Sequence, residues 1–213
     1  MLASRRVEVL LLDLDDTLYA PESGVLHRVD ARINAYLCDV LGVPPDRVDA
    51  VRSGLREAHG TTLRGLERTH SVDPDHYLRF VHDCDLSDLL GPDPELRALL
   101  LRLPPRKVVF TNAPRSHAVQ VLGLLGVADA FERVVSLEDF RYLPKPDPAA
   151  YATVLRQAGV GPEACCFVDD TRSNLLPARM LGMRTVWKAP HAAIDEHVHH
   201  AIAELVELEP LWR

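Results

Sequence analysis

Residues Leu12–Tyr19 read LDLDDTLY and close an apolar run, Val7–Leu12, with two carboxylates, Asp13 and Asp15, set two positions apart where that run ends. A short Val/Leu run bounded by turn-forming residues reads as a buried parallel strand, and open α/β sheets bind ligands just beyond the carboxyl ends of their strands. Asp13 therefore stands at a strand tip. Asp15 follows one strand period later, so both acids face one substrate if the chain stays extended there. Helix capping or loop solubility is the ordinary alternative for Asp and Thr at such a boundary.

Three further segments decide between these readings, two of them apolar strands that run straight into polar groups. Lys107–Phe110 leads into Thr111 and Asn112, and Cys165–Val168 into Asp169 and Asp170; between them Lys145 stands among Pro144, Pro146 and Pro148. Taken in order, DLDDT (Asp13–Thr17), VVFTN (Val108–Asn112), Lys145 in LPKPDP and FVDDTRSN (Phe167–Asn174) resemble the four motifs of the haloacid dehalogenase superfamily of phosphohydrolases. One such motif is weak; four in sequence span nearly the whole chain.

Phosphoryl transfer needs a nucleophile in line with the leaving oxygen, a proton donor for that oxygen, and positive charge around the non-bridging oxygens. Asp13 can attack phosphorus to form an aspartyl phosphate. Asp15 can protonate the departing alkoxide and later deprotonate the hydrolytic water. Thr111 and nearby backbone N–H groups, with Asn112 beside them, can bind the phosphoryl oxygens, and Lys145 can neutralise the charge that develops there. The flanking prolines restrict the backbone around Lys145. Carboxylates converging on a phosphate dianion repel it unless a cation stands between, and all-oxygen ligands with a phosphate partner favour Mg²⁺. The resemblance implies Asp13, the backbone carbonyl of Asp15, and the Asp169/Asp170 pair as its ligands, with Asp170 the first choice for direct coordination. Asn174 is expected either to orient that pair or to cap the next helix.

The chain has 213 residues and a net charge of −7, which argues against sequence-independent binding to nucleic acid or to an anionic membrane. Its first apolar run is interrupted by Glu8 and Asp13, unlike the core of a signal peptide, and a cytoplasmic location is expected. Cys38, Cys84, Cys165 and Cys166 form no CxxC pair and read as reduced core thiols. His197, His199 and His200 invite a metal site, yet His191–Leu208 reads as an amphipathic surface helix.

The stretch between the first two motifs has little β character and exceeds a minimal crossover, so it is expected to be a helical cap inserted after the first strand. Helical periodicity covers Val25–Leu41, Asp46–His59, Asp75–His82 and Glu95–Leu103. From Lys107 onward the pattern alternates: helices at Ser116–Leu125, Ala149–Ala158 and Asn174–Leu181, strands at Val134–Ser136, Cys165–Val168 and Thr185–Trp187. The expected fold is α/β, a Rossmann-like doubly wound parallel sheet, with residues 1–18 and 104–213 forming the core and 19–103 the cap.

An insertion at that point lies over the sheet's carboxyl edge and can act as a lid that reads the leaving group. Its most unusual stretch is GTTLRGL, Gly60–Leu66, in which Thr61, Thr62 and Arg64 either begin a helix or hydrogen-bond a polar leaving group. GTTLRGL, DLDDTLY, TNAPRSHAVQVLGLLGVADAF and FVDDTRSN together resemble the pyrimidine 5′-nucleotidase branch, which implies hydrolysis of UMP or CMP. His59 departs from that pattern, where a tyrosine is expected before the glycine. Phosphoglycolate or a sugar phosphate is the alternative substrate. A dehalogenase would need neither Asp15 nor the Asp169/Asp170 pair, a phosphorylatable receiver domain has the reverse motif order, and a silent scaffold would not need the full reactive set.

Overall fold

The computed structural model describes residues 7–212; residues 1–6, with which the expected core segment 1–18 begins, lie outside the described residues. The chain divides into two compact units, one made of the residues up to Ser23 together with those from Leu90 onward, the other Gly24–Leu89.

Among the described residues, the first unit is built on six parallel strands: β1 (Val9–Leu12), β2 (Arg106–Phe110), β3 (Arg133–Val135), β4 (Cys165–Asp169), β5 (Arg184–Lys188) and β6 (His200–Ile202). They lie in the order β3-β2-β1-β4-β5-β6. Every residue of β1 and β4 is buried, which is why β1 and the Cys165–Val168 part of β4 read as continuous apolar runs and not as alternating ones. The strand order reverses at β1, between β2 and β4, the point where a doubly wound sheet opens a crevice. Register aims that crevice: Leu12 pairs with Val109 on one side and Val168 on the other. Asp13 and Asp169 thus leave the sheet at one level, and the Asp13 N–H donates to the Val168 carbonyl at 3.0 Å. Beneath them Phe110 meets Tyr151 and Phe140 edge to face, with ring centroids 5.4 and 5.9 Å apart.

The second unit holds α1 (Val25–Ala35), α2 (Val48–His59), α3 (Thr62–His70) and α4 (Pro74–His82). α1 runs on through a π-helical turn at Tyr36–Val40, which swings Tyr36 edge-on against Tyr77 and Phe80. α3 fills the stretch around GTTLRGL. Thr61 caps it, its hydroxyl accepting from the Arg64 N–H at 3.1 Å. Gly65 lets α3 press on α2, since a Cβ there would stand 2.7 Å from Leu55 Cδ2.

The structure departs from the sequence-based expectations at the cap boundaries, in the segment after β5 and at two cysteines. The cap boundaries at 19 and 103 move inward, because α5 (Pro94–Arg102) groups with the sheet: the Asp93 N–H that precedes it bonds the Leu125 carbonyl, and Arg97 pairs with Asp129. His191–Leu208 is no helix. β6 adds to β5 within it and a 3₁₀ helix follows at Leu205–Trp212. The buried residues Val198, Ile202, Leu205 and Leu208 are three or four apart and mimic helical spacing, but edge pairing with β5 takes the backbone hydrogen bonds instead. The remaining helices, α6 (Arg115–Leu124), α7 (Pro148–Ala158) and α8 (Arg172–Leu181), alternate with the strands as expected. No described helix is long and apolar enough to cross a membrane. None of the four cysteines is in a disulfide, yet only Cys165 and Cys166 are core thiols; Cys38 and Cys84 are half-buried.

Candidate active site

Lys145 organises the crevice. Its ammonium, with the side chain almost wholly enclosed, donates to Asp13 Oδ1 at 2.7 Å, to Asp169 Oδ2 at 2.8 Å and to the Phe110 carbonyl at 2.7 Å. It also stands over the rings of Phe110 and Phe167, 4.9 and 5.2 Å from their centroids. Burial by itself would lower the lysine, but the Asp13 and Asp169 charges and hydrogen bonds hold it above its ordinary value. It remains an ammonium. The loop that carries it is clamped by Asn112, whose carboxamide accepts from the Lys145 N–H at 2.7 Å and donates to the Lys145 carbonyl at 3.1 Å. Asn112, expected beside the phosphoryl oxygens, thus has its amide engaged at both ends with this backbone.

Asp13 is buried and hydrogen-bonded on its other oxygen by Thr17, at 3.3 Å. Burial first, then the charges of Asp169, Asp170 and Asp15, hold its carboxyl well above the usual range against the pull of Lys145. Asp169 has no exposed surface, and the Thr171 N–H and the Asn174 amide occupy its oxygens beside Lys145. Asn174 therefore orients the acid, while Thr171 takes the N-cap position of α8. Asp170 lines a cavity of about 890 Å³ together with Asp16, Thr17 and Lys188. Its carbonyl is held by the Trp187 indole at 2.8 Å. Thr111 is buried at the end of β2, where its hydroxyl accepts from the Ala113 N–H at 2.9 Å.

Asp15 has two partners that sequence reading left without a role. Tyr19 donates to its Oδ1 at 2.5 Å, and Nε2 of His117 lies 2.7 Å from the same oxygen. Burial, and the Asp15 charge after it, push the Tyr19 phenol well up, so it stays a donor. The spacing of Tyr19, four residues after Asp15, is a faint local signal; His117 lies 102 positions away and offers none.

Asp13, Asp169 and Asp170 each present a carboxylate oxygen within 4.8 Å of the others, and they are the group of acids among the described residues that could hold a metal ion. His197, His199 and His200 form no such group. The His199 ring is tied to Thr185 instead, receiving its N–H at 3.1 Å. Three acids face one ammonium, and burial holds Asp13 and Asp170 above the usual carboxylate range. An all-oxygen donor set short of positive charge fits a hard divalent cation. Thr61, Thr62 and Arg64 belong to the other unit and are brought together there by the start of α3.

Comparison with known proteins relates the chain to a family and a fold. A family model described as haloacid dehalogenase-like hydrolase matches residues 7–182. Phosphate metabolism protein 8 of Saccharomyces cerevisiae is 29% identical over 191 residues, covering 83% of this chain and 60% of its own length. Phosphoglycolate phosphatase 1 of Pseudomonas aeruginosa is 24% identical over 194 residues, covering 85% of this chain and 69% of its own. The chain thus spans about three fifths of the yeast relative's length. Among solved structures, a HAD phosphatase from Thermococcus onnurineus superposes with a TM-score of 0.67 at 21% identity, covering 96% of this chain and 97% of that one.

Proposed function

The chain belongs to the haloacid dehalogenase-like hydrolases, and from that premise we propose that it is a Mg²⁺-dependent phosphatase acting on small phosphate monoesters, with UMP and CMP as its preferred substrates. The observation that carries the reading is the Lys145 ammonium bridging Asp13 and Asp169 beside Asp170. Chemistry at carbon would leave that acid cluster, and Asp15 with it, without a task.

Asp13 attacks phosphorus; as its oxygen bonds to phosphorus, the bond to the leaving oxygen breaks and Asp15 gives that oxygen a proton. Water then attacks the aspartyl phosphate, Asp15 takes its proton, and the Asp13 carboxylate is restored with release of inorganic phosphate. Lys145 keeps Asp13 aligned and balances charge on the phosphoryl oxygens, and Thr111 with the N–H groups after β2 donates to them. Asp13, Asp169 and Asp170 would hold the cation with the Asp15 carbonyl, and the cation supplies the positive charge that lets a phosphate dianion approach carboxylates.

The pyrimidine preference rests on the branch likeness of GTTLRGL and its neighbouring motifs. Thr61 caps α3, which leaves its O–H proton for donation, and Thr62 and Arg64 stand in the same turn. A second reading, phosphoglycolate, is favoured by the Pseudomonas aeruginosa relative. The test is phosphate release with Mg²⁺ from UMP, CMP, purine mononucleotides, phosphoglycolate and sugar phosphates. A highest kcat/KM on UMP or CMP is expected. A preference for phosphoglycolate selects the second reading, and no release from any ester defeats both.

A further inference from the structure

Asp15 is gripped on one oxygen from two directions. The Tyr19 hydroxyl and Nε2 of His117 both meet Oδ1, at 2.5 and 2.7 Å. These donors are fixed in different ways: Tyr19 stands in the same loop, 8% exposed, while His117 sits in the first turn of α6 with its side chain fully buried. An ionised carboxylate only accepts hydrogen bonds, so the hydrogen belongs on Nε2 in this contact. A carboxyl oxygen offers two lone pairs. With both of them aimed at donors, Oδ1 has no place for a proton of its own.

We propose that His117 and Tyr19 are positioning residues for Asp15, holding Oδ1 so that the carboxyl plane is fixed and Oδ2 alone carries the proton exchanged with substrate and water. The inference rests on the phosphatase reading and deepens it. In the first half-reaction the proton leaves Oδ2 for the departing oxygen as the phosphorus–oxygen bond breaks and the Asp13–phosphorus bond forms. In the second, water's oxygen bonds to phosphorus, its proton returns to Oδ2, and the Asp13–phosphorus bond breaks. His117 and Tyr19 keep their own hydrogens throughout. A freely rotating carboxyl would have to find this orientation anew in each half-reaction, and misplacement of a proton donor lowers the rate most where the leaving oxygen is most basic.

A buried histidine that merely fills and satisfies the core predicts something different, which gives the test. Tyr19→Phe, His117→Ala and His117→Gln are compared with wild type on two esters under the same conditions, glycerol phosphate with its basic alkoxide and nitrophenyl phosphate with its weakly basic phenolate. A poor leaving group needs the proton; a good one departs without it. In Tyr19→Phe and His117→Ala the kcat/KM ratio of glycerol phosphate to nitrophenyl phosphate is expected to fall roughly ten- to a hundred-fold, with His117→Gln, which keeps an N–H at the end of the side chain, recovering part of the loss. Both rates come from one preparation, so partial unfolding cancels from the ratio. Equal losses on the two esters overturn the inference and leave the phosphatase reading standing. A wild type that releases phosphate neither from these two esters nor from any ester of the substrate screen overturns both.

Discussion

Lys145 Nζ and Asp13 Oδ1 lie 2.7 Å apart across 132 residues of chain, both buried. Opposite charges removed from water hold one another in place when each is fully hydrogen-bonded, and losing one partner leaves the other as an uncompensated buried charge. Lys145→Ala is expected to lower folding stability by about 3–5 kcal/mol and to abolish phosphate release. Denaturant titration of the purified variant measures the first effect; a midpoint equal to wild type would show that the ammonium is not what neutralises the acids.

Asp13→Asn removes the nucleophile while nearly preserving shape. Phosphate release is expected to disappear, because an amide cannot form the covalent intermediate, with the far-ultraviolet circular dichroism of wild type retained. Activity above a few per cent in a folded, contamination-controlled preparation would remove Asp13 from that role.

The Asp13, Asp169 and Asp170 oxygens within 4.8 Å of one another predict a divalent-ion requirement that can be read without turnover. Saturating Mg²⁺ is expected to raise the unfolding temperature, with stabilisation of about 2.7 kcal/mol at a hundred times Kd, and Asp170→Asn is expected to lose that response. Chelator is expected to stop phosphate release and Mg²⁺ to restore it. Undiminished turnover in chelator would exclude the metal.

The three polar residues that open α3 are expected to separate by experiment. Thr61→Ala lowers stability by about 1 kcal/mol through loss of the helix cap. Thr61→Ala, Thr62→Val and Arg64→Ala each lower the kcat/KM ratio of UMP to nitrophenyl phosphate by roughly ten- to a hundred-fold, the worth of a hydrogen bond to a remote part of the substrate. An unchanged ratio in all three variants makes them helix-start chemistry.

Asp139 yields a pH prediction away from the site. Burial by itself would raise its carboxyl, but the Ser136 N–H and hydroxyl, the Gln157 amide and the Arg115 guanidinium hold it below the usual carboxylate range. A depressed carboxylate adds stability that is fully present above its unfolded pKa of about 4 and is lost as pH falls through the folded value. Asp139→Asn is therefore expected to melt below wild type at pH 7, with the gap closing toward pH 3. A gap that stays constant across that range would place its origin in packing.

Local signals carried a large part of this protein. The buried parts of parallel strands must be apolar, so β1, Val108–Phe110 of β2 and Cys165–Val168 of β4 announce themselves, and the glycines and prolines that stop the intervening helices mark the βα alternation. The acids and the hydroxyl at the ends of those strands are legible for the same reason, because charge directly after a buried strand has few structural uses, and Lys145, in the loop before α7, is legible from its place among three prolines. Periodicity failed where two structures share a spacing: Val198, Ile202, Leu205 and Leu208 fit a helix, and only the free edge of β5 turned part of that segment into β6. It was also silent on partnership. Asn112 looked like a phosphate ligand and grips the Lys145 backbone, and His117, a helical histidine of no special context, meets Asp15 from 102 residues away. Sequence determines which groups can react and which segments must be buried, because both are properties of single residues and their near neighbours. Which group faces which is decided by strand order and register, which place the ends of β1, β2 and β4 side by side whatever their distance along the chain.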